Sequence, residues 1–224
     1  MSTKKLTPIA SILISLFALP LSSNADNLLQ SSGFDQLAPG TAIGEPWQTR
    51  ARGEQTAILA KAPENDSSKN WVYIKDYDGV EKVYMQMDVP SVSRGVLSFR
   101  VFFPNPDATV GIYLRYSELD KSECNIVEFK SLEGSGNIYV GANGNRQKLP
   151  VKVSGPEIMS FDIEFDATDA GEKIDVYIND TSGRHLIHST TEPSAHPIDT
   201  IMITTDTKTE ISEFYIGDLS LKRS

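Results

Sequence analysis

Trp71, Tyr73, Tyr84, Gln86, Arg100, Tyr113, Arg115, Glu128, Lys130 and Tyr139 are spread over the middle of a 224-residue chain, each alternating with apolar neighbours. In an extended strand, that alternation sends them to the side away from the apolar set. If their strands share a sheet, they form a band of aromatic rings among Arg, Gln, Glu and Lys. Such a band suits sugars: ring faces stack on C–H surfaces, and planar polar groups take hydroxyls or carboxylates in fixed geometry. The expected ligand contacts are Trp71, Tyr73, Tyr84, Arg100, Tyr113, Arg115, Glu128, Lys130 and Tyr139. The plain alternative is the wet face of a sheet, where cross-strand aromatic and charge pairs stabilise the strands.

The same face offers a second chemistry. Cleaving a uronate polymer by β-elimination needs a carboxylate neutraliser, a base for the C5 proton and an acid for the leaving oxygen. Arg or Gln suits the first role, and a Tyr with its pKa lowered by nearby cations suits the others. Gln86, Arg100, Tyr113 and Arg115 supply those types, so they are the catalytic set if the protein is a lyase. The alginate-lyase strings R-T-E-L-R, Q-I-H and Y-F-K-A-G are absent, and Arg115 to Leu119 only echoes the first. Binding is therefore placed ahead of cleavage.

Other chemistry-bearing residues are sparse. His185, His188 and His196 lie close in sequence but lack a spacing such as H-E-x-x-H. Cys124 stands alone, which excludes internal disulfides and multi-cysteine metal sites. No G-x-S-x-G elbow or phosphate-cradling glycine loop is present.

The elements that must position these residues read as strands. Period-two alternation runs through 71–75, 83–89, 97–103 and 110–116, then 126–130, 137–141, 159–166, 173–179, 200–205 and 213–221. No segment after residue 25 holds a 3.6-residue period over three turns. Pro104-Asn105-Pro106-Asp107, Asn143-Gly144 and Thr181-Ser182-Gly183 supply turn chemistry between the runs. Short strands at this spacing predict an all-β, two-sheet antiparallel sandwich. No linker or repeat divides residues 26–224, which are expected to form a single domain.

Residues 1–25 are expected to be a signal peptide. Lys4 and Lys5 precede an apolar run from Leu6 to Leu21, and Ser23-Asn24-Ala25 makes a small-x-small exit with cleavage after Ala25. The run carries Pro8 and Pro20 and falls short of the ~20 residues of a spanning helix, so no membrane insertion is expected. A secreted or periplasmic chain follows, and the single cysteine favours a bacterial route. The net charge of −9, with no basic cluster, argues against nucleic acid as a partner. The expected partner is a polysaccharide or other glycan.

Both ends of the chain then show a family likeness. Asn27-Leu28-Leu29-Gln30, Gly33-Phe34-Asp35 and Pro46-Trp47 resemble the opening of jelly-roll carbohydrate-binding modules. Glu213 to Leu221 resembles their last strand. Gly95-Val96-Leu97-Ser98-Phe99-Arg100 and the run Met159 to Asn179 are similar to strands of concanavalin A-like lectins and glucanases and of laminin-G-like domains. The resemblance implies a jelly-roll, concanavalin A-like sandwich. No cofactor is required by it, but it implies a structural calcium held by Asp35 and Asp218, tying first strand to last. Two plain surface aspartates are the alternative. The resemblance also draws attention to Asp162-Ile163-Glu164-Phe165-Asp166, whose spacing is similar to the E-x-D-x-E strand of retaining glucanases. Both outer glutamates are aspartates here, which shortens the reach of the nucleophile and proton-donor positions. An ordinary charged strand face is the expectation. The function expected is polysaccharide recognition. A polysaccharide lyase, and less so an endo-glycosidase, is the enzymatic alternative, and a matrix or adhesion component the third.

Overall fold

A computed structural model of the chain describes residues 27–78, 81–131, 135–168, 170–193, 195–205 and 212–224, with backbone alone for Gln30 to Gly33. The expected signal peptide, 1–25, lies outside the described residues. Alternating patterns become strands almost wherever they occur. The chain opens with β1 (Asn27–Gln30), a short 3-10 turn (Ser31–Gln36), β2 (Gln48–Arg50), β3 (Thr56–Lys61) and β4 (Trp71–Asp76). It continues through β5 (Tyr84–Val92), β6 (Arg94–Phe103), β7 (Gly111–Arg115), β8 (Asn125–Ser131) and β9 (Asn137–Ala142). Then come β10 (Asn145–Lys152), β11 (Glu157–Thr168), β12 (Gly171–Asp180), β13 (Gly183–Glu192), β14 (Ile198–Thr204) and β15 (Ser212–Arg223).

The strands form two antiparallel sheets. Sheet I has the order β13-β12-β11-β6-β15-β4-β3, with β1 also on β15, and sheet II the order β10-β9-β8-β7-β14-β5-β2. This is the all-β, two-sheet antiparallel sandwich expected from the alternation, in the jelly-roll form that the resemblance implied. No helix among the described residues is long and apolar enough to cross a membrane.

Five strands escaped the sequence pattern, each for a local reason. β10 carries Pro150, which suits the edge it occupies because that side of the backbone needs no donor. β13 is also an edge and is mostly polar outside Ile187 and Leu186, so it shows no clean alternation. β1, β2 and β3 are short and follow turn-rich sequence.

The core lies between the sheets. Phe99 of β6 and Phe161 of β11, both in sheet I, meet Phe129 of β8 in sheet II, with ring centroids 5.1 and 4.9 Å away. All three rings are essentially inaccessible to water. Truncating any one to Ala would leave a cavity, at about 3–5 kcal/mol. β15 breaks its own alternation. Phe214 and Ile216 face the core, and so do Leu219 and Leu221, because a bulge between Gly217 and Ser220 resets the phase. Asp218 sits in that bulge with φ 50°, a left-handed conformation that Asp tolerates better than most residues.

Candidate functional site

Strand register decides which of the predicted residues meet. On sheet II, one row runs Arg50, Tyr84, Thr204, Gly111, Lys130, Tyr139, Lys148. The next row runs Gln48, Gln86, Met202, Tyr113, Glu128, Gly141, Arg146. In a third row, Asp88 pairs with Thr200 and Thr200 with Arg115. Tyr84, Gln86, Tyr113, Arg115, Glu128, Lys130 and Tyr139 therefore share the outer face of one sheet. Their apolar neighbours Met85, Ile112, Leu114, Phe129, Ile138 and Val140 fill the core behind them.

The other three belong elsewhere. Trp71, Tyr73 and Arg100 stand on β4 and β6 of sheet I, so the predicted band is split between two sheets. Alternation says which side of a strand a residue takes, but not which sheet the strand joins. Trp71 and Tyr73 are buried there with Phe102 and Tyr215 in a small second apolar cluster. The segment between β3 and β4 packs over it. Asp66 meets the Arg100 guanidinium at 3.2 Å, Lys69 pairs with Asp218, and Asn65 Nδ2 donates to the carbonyl of Pro156 at 3.3 Å. The Arg100 guanidinium lies over the Trp71 ring, 4.9 Å from its centroid. These three residues hold the fold together, and the proposed lyase quartet loses Arg100.

Within the sheet II face, the residues have unequal freedom. Glu128 is buried: its carboxylate accepts from Arg146 Nε at 2.7 Å, Asn125 Nδ2 at 2.9 Å and the Gly144 N–H at 3.2 Å. It is the anchor of the β9–β10 hairpin, with both oxygens used. Tyr113 is 6% exposed, its ring lying over Gly111, where a Cβ would come 2.8 Å from it. Tyr84, Tyr139, Gln86, Lys130 and Arg115 are half-buried and present part of their surface to solvent. Arg50, Arg146 and Lys148 extend the face and were missed by the sequence reading. Arg50 and Lys148 are legible only once β2 and β10 are known to flank β5 and β9.

Beside this band, Gln86, Asp88, Arg115, Ser117, Leu119, Lys121, Cys124 and Thr200 line a cleft of about 250 Å³. Cys124 is buried, and its Sγ accepts from an Arg115 NH group at 2.8 Å.

The remaining candidates do not converge. Asp162, Glu164 and Asp166 lie on the outer face of sheet I, where Arg184 bonds Asp162 and Glu164 at 2.7 Å each and Arg94 pairs with Asp166 at 3.5 Å. Tyr177 OH donates to Glu164 at 3.3 Å and stacks under Arg184. That is a cross-strand ion network on a wet face. His185 sits by Ser182 and Asp180, and the buried His188 Nε2 has no partner among the described residues. His196 stacks on Tyr116.

Asp218, expected to share a calcium with Asp35, already has both carboxylate oxygens engaged, one by Lys69 and one by Arg100. A hard divalent cation needs several oxygen donors, and two side-chain cations occupy the place where they would gather. Among the described residues no group of three or more His, Cys, Asp or Glu side chains could hold a metal. The donor set does not fit calcium.

No family model and no curated protein matches the chain. Solved structures do. A carbohydrate esterase from the Shiga toxin-encoding bacteriophage phi24B superposes with a TM-score of 0.59 at 11% identity, over 89% of this chain and 100% of that one. A β-glucanase of Bacillus licheniformis superposes at 0.51 and 10% identity, over 83% and 96% of the two chains. The chain has the concanavalin A-like sandwich fold. A sialidase shares this concanavalin A-like sandwich at a TM-score of 0.60 and 12% identity, the match covering 80% of this chain but 17% of that one. At such identities the concanavalin A-like likeness concerns the fold, which hosts unrelated activities.

Proposed function

We propose that the protein binds a polysaccharide along the outer face of sheet II, without covalent chemistry. The observation that carries this reading is the register: Tyr84, Gln86, Tyr113, Arg115, Lys130 and Tyr139 fall on adjacent rows of one sheet, with Arg50, Arg146 and Lys148 extending them. Neighbouring strands are ~4.8 Å apart, so rows spanning the sheet offer a platform of several sugar units. Partly exposed Tyr84 and Tyr139 supply stacking faces, while Gln86, Lys130 and Arg115 supply polar contacts to hydroxyl groups. The fold's occurrence in a carbohydrate esterase, a β-glucanase and a sialidase supports a glycan as the ligand class. The leader-like residues 1–25 support export, to the periplasm or the medium.

Retention of the purified protein on a panel of insoluble polysaccharides tests the reading. Tyr84→Ala and Tyr139→Ala should each weaken retention by ~5–10-fold, the loss of one stacked ring. Retention on none of the panel, or retention unmoved by both substitutions, removes the sheet II face as the binding surface. New reducing ends or unsaturated products would replace binding with cleavage.

A further inference from the structure

Among the described residues no carboxylate pairs with Arg115. Among the described residues its guanidinium contacts only sulfur: one NH group reaches Cys124 Sγ at 2.8 Å, another reaches Met202 Sδ at 3.5 Å, and its buried Nε has no partner. Thiol and thioether sulfurs are weak acceptors and leave the positive charge unneutralised. Other arginines of this sheet are matched: Arg146 by Glu128, and Arg50 by Glu81. A part-buried guanidinium with only sulfur partners is costly to hold, because desolvation is not repaid by an oxyanion.

We infer that the Arg115 cleft is an anion subsite, taking the carboxylate or sulfate of an acidic sugar whose chain lies along the sheet II face. The inference rests on the glycan-binding reading and narrows it to acidic polymers. The cleft has the right form for one charged substituent. Lys121 supplies a second cation at the exposed rim, and Gln86, Ser117 and Thr200 line the walls with neutral polar groups.

Two of the nearby acids are held by hydroxyl and amide donors. Asp199 accepts from the Ser117 N–H and hydroxyl at 2.9 and 2.7 Å and from Thr200 Oγ1 at 3.0 Å. Glu118 accepts from Tyr116 OH at 2.6 Å. Asp88 also lines the cleft and is exposed; its contact is Thr200 Oγ1 at 3.5 Å. It opposes an incoming anion and keeps the subsite weak, which makes it useful as a probe. An acidic chain with net charge −9 gains a local attraction for an acidic polymer only where such a cation is exposed to ligand.

The test compares polymers that share a backbone and differ in charge: polygalacturonate against its carboxyl-reduced form, and dextran sulfate against dextran. Binding is measured by calorimetry from low to high salt. The wild type should prefer the charged member of at least one pair, and its affinity should fall as salt rises. Whichever pair shows the preference identifies the anion as carboxylate or sulfate. Arg115→Gln should lower the charged-to-neutral affinity ratio about tenfold, the loss of one charge-assisted contact. Asp88→Asn, at an exposed position, should raise that ratio about threefold. Binding to neutral polymers with equal affinity and no salt dependence would overturn the anion subsite and leave the glycan-binding face intact. An Asp88→Asn ratio equal to the wild type would overturn it too. If no polymer of either pair or of the wider panel binds, the face itself is wrong and the subsite falls with it.

Discussion

Arg146 on β10 reaches Glu128 on β8 across the intervening strand β9, with Nε 2.7 Å from Oε2. The residue between them is Gly141, which puts no side chain in the way. Glu128 is 2% exposed, so the ion pair stands at the boundary between the wet face and the core. Removing the arginine leaves a buried carboxylate with amide donors alone. Arg146→Ala should cost about 2–3 kcal/mol, read as a lower urea midpoint at unchanged slope. Glu128→Gln should cost less, since no buried carboxylate remains and the charge left unpaired, Arg146, is partly exposed. Equal stability of Arg146→Ala and wild type would show that the pair does not anchor the hairpin.

Gly217 should admit no side chain. A Cβ there would lie 2.3 Å from the Trp71 ring, which is itself sealed beneath Arg100 and the β3–β4 segment. Gly217→Ala should destabilise by about 2–3 kcal/mol through overpacking. A double substitution that also shrinks Trp71 to Leu should show coupling, measured as a non-additive shift in melting temperature.

Glu172 makes stability depend on pH. Its side chain is fully buried, neither carboxylate oxygen has a partner among the described residues, and burial, with Asp166 nearby, pushes its pKa up to about 8. The folded state therefore holds a proton that the unfolded chain releases near 4.5. Below that value both states are protonated and the group is neutral in effect. As pH rises from 4.5 to 8 the unfolded state ionises first, so this group's contribution falls through that window and is lost above it. Glu172→Gln should match the wild type near pH 4 and exceed it by on the order of 2 kcal/mol near pH 8.5. Chemical denaturation at both pH values checks this; a constant difference would show that the carboxyl does not titrate in the window.

The carboxylate ladder should be dispensable for ligand. Glu164 is on the sheet away from the proposed face and is engaged by Arg184 and Tyr177. Glu164→Ala should leave polysaccharide retention unchanged and cost up to about 1 kcal/mol, the scale of an exposed ion pair.

Chelation should not move the melting temperature. Asp218 pairs with Lys69 and Arg100, so excess EDTA removes nothing from it. Asp218→Ala should lower stability, because it strands Lys69, leaves Arg100 with Asp66 alone and places Ala at φ 50°. A drop in melting temperature with EDTA, restored by calcium, would show a bound ion instead.

Particular residues show how far the chain could be read before its fold was known. Alternation in 97–103 and 159–166 placed Phe99 and Phe161 in the core and Ser98, Arg100, Asp162 and Glu164 outside it, because successive side chains of any strand must take opposite faces. That rule is local, and it made the two-sheet sandwich legible. Its limits are equally plain at Asp218, where a one-residue bulge shifts the phase, and at β10 and β13, edge strands whose partner on one side is missing and whose alternation is correspondingly weak.

What the sequence by itself determined was the strand content, the inward and outward sides, and the residue types able to meet a sugar. Only the tertiary structure decided that Tyr84, Tyr113, Arg115, Lys130 and Tyr139 share a surface while Trp71, Tyr73 and Arg100 stabilise the opposite sheet. The physical reason is that strand pairing is non-local. β14 inserts between β5 and β7, and β15 between β4 and β6, by backbone hydrogen bonds that any side chain permits. Sheet membership, and with it the split of the aromatic band and the place of Arg115 beside Met202, is fixed by those distant pairings.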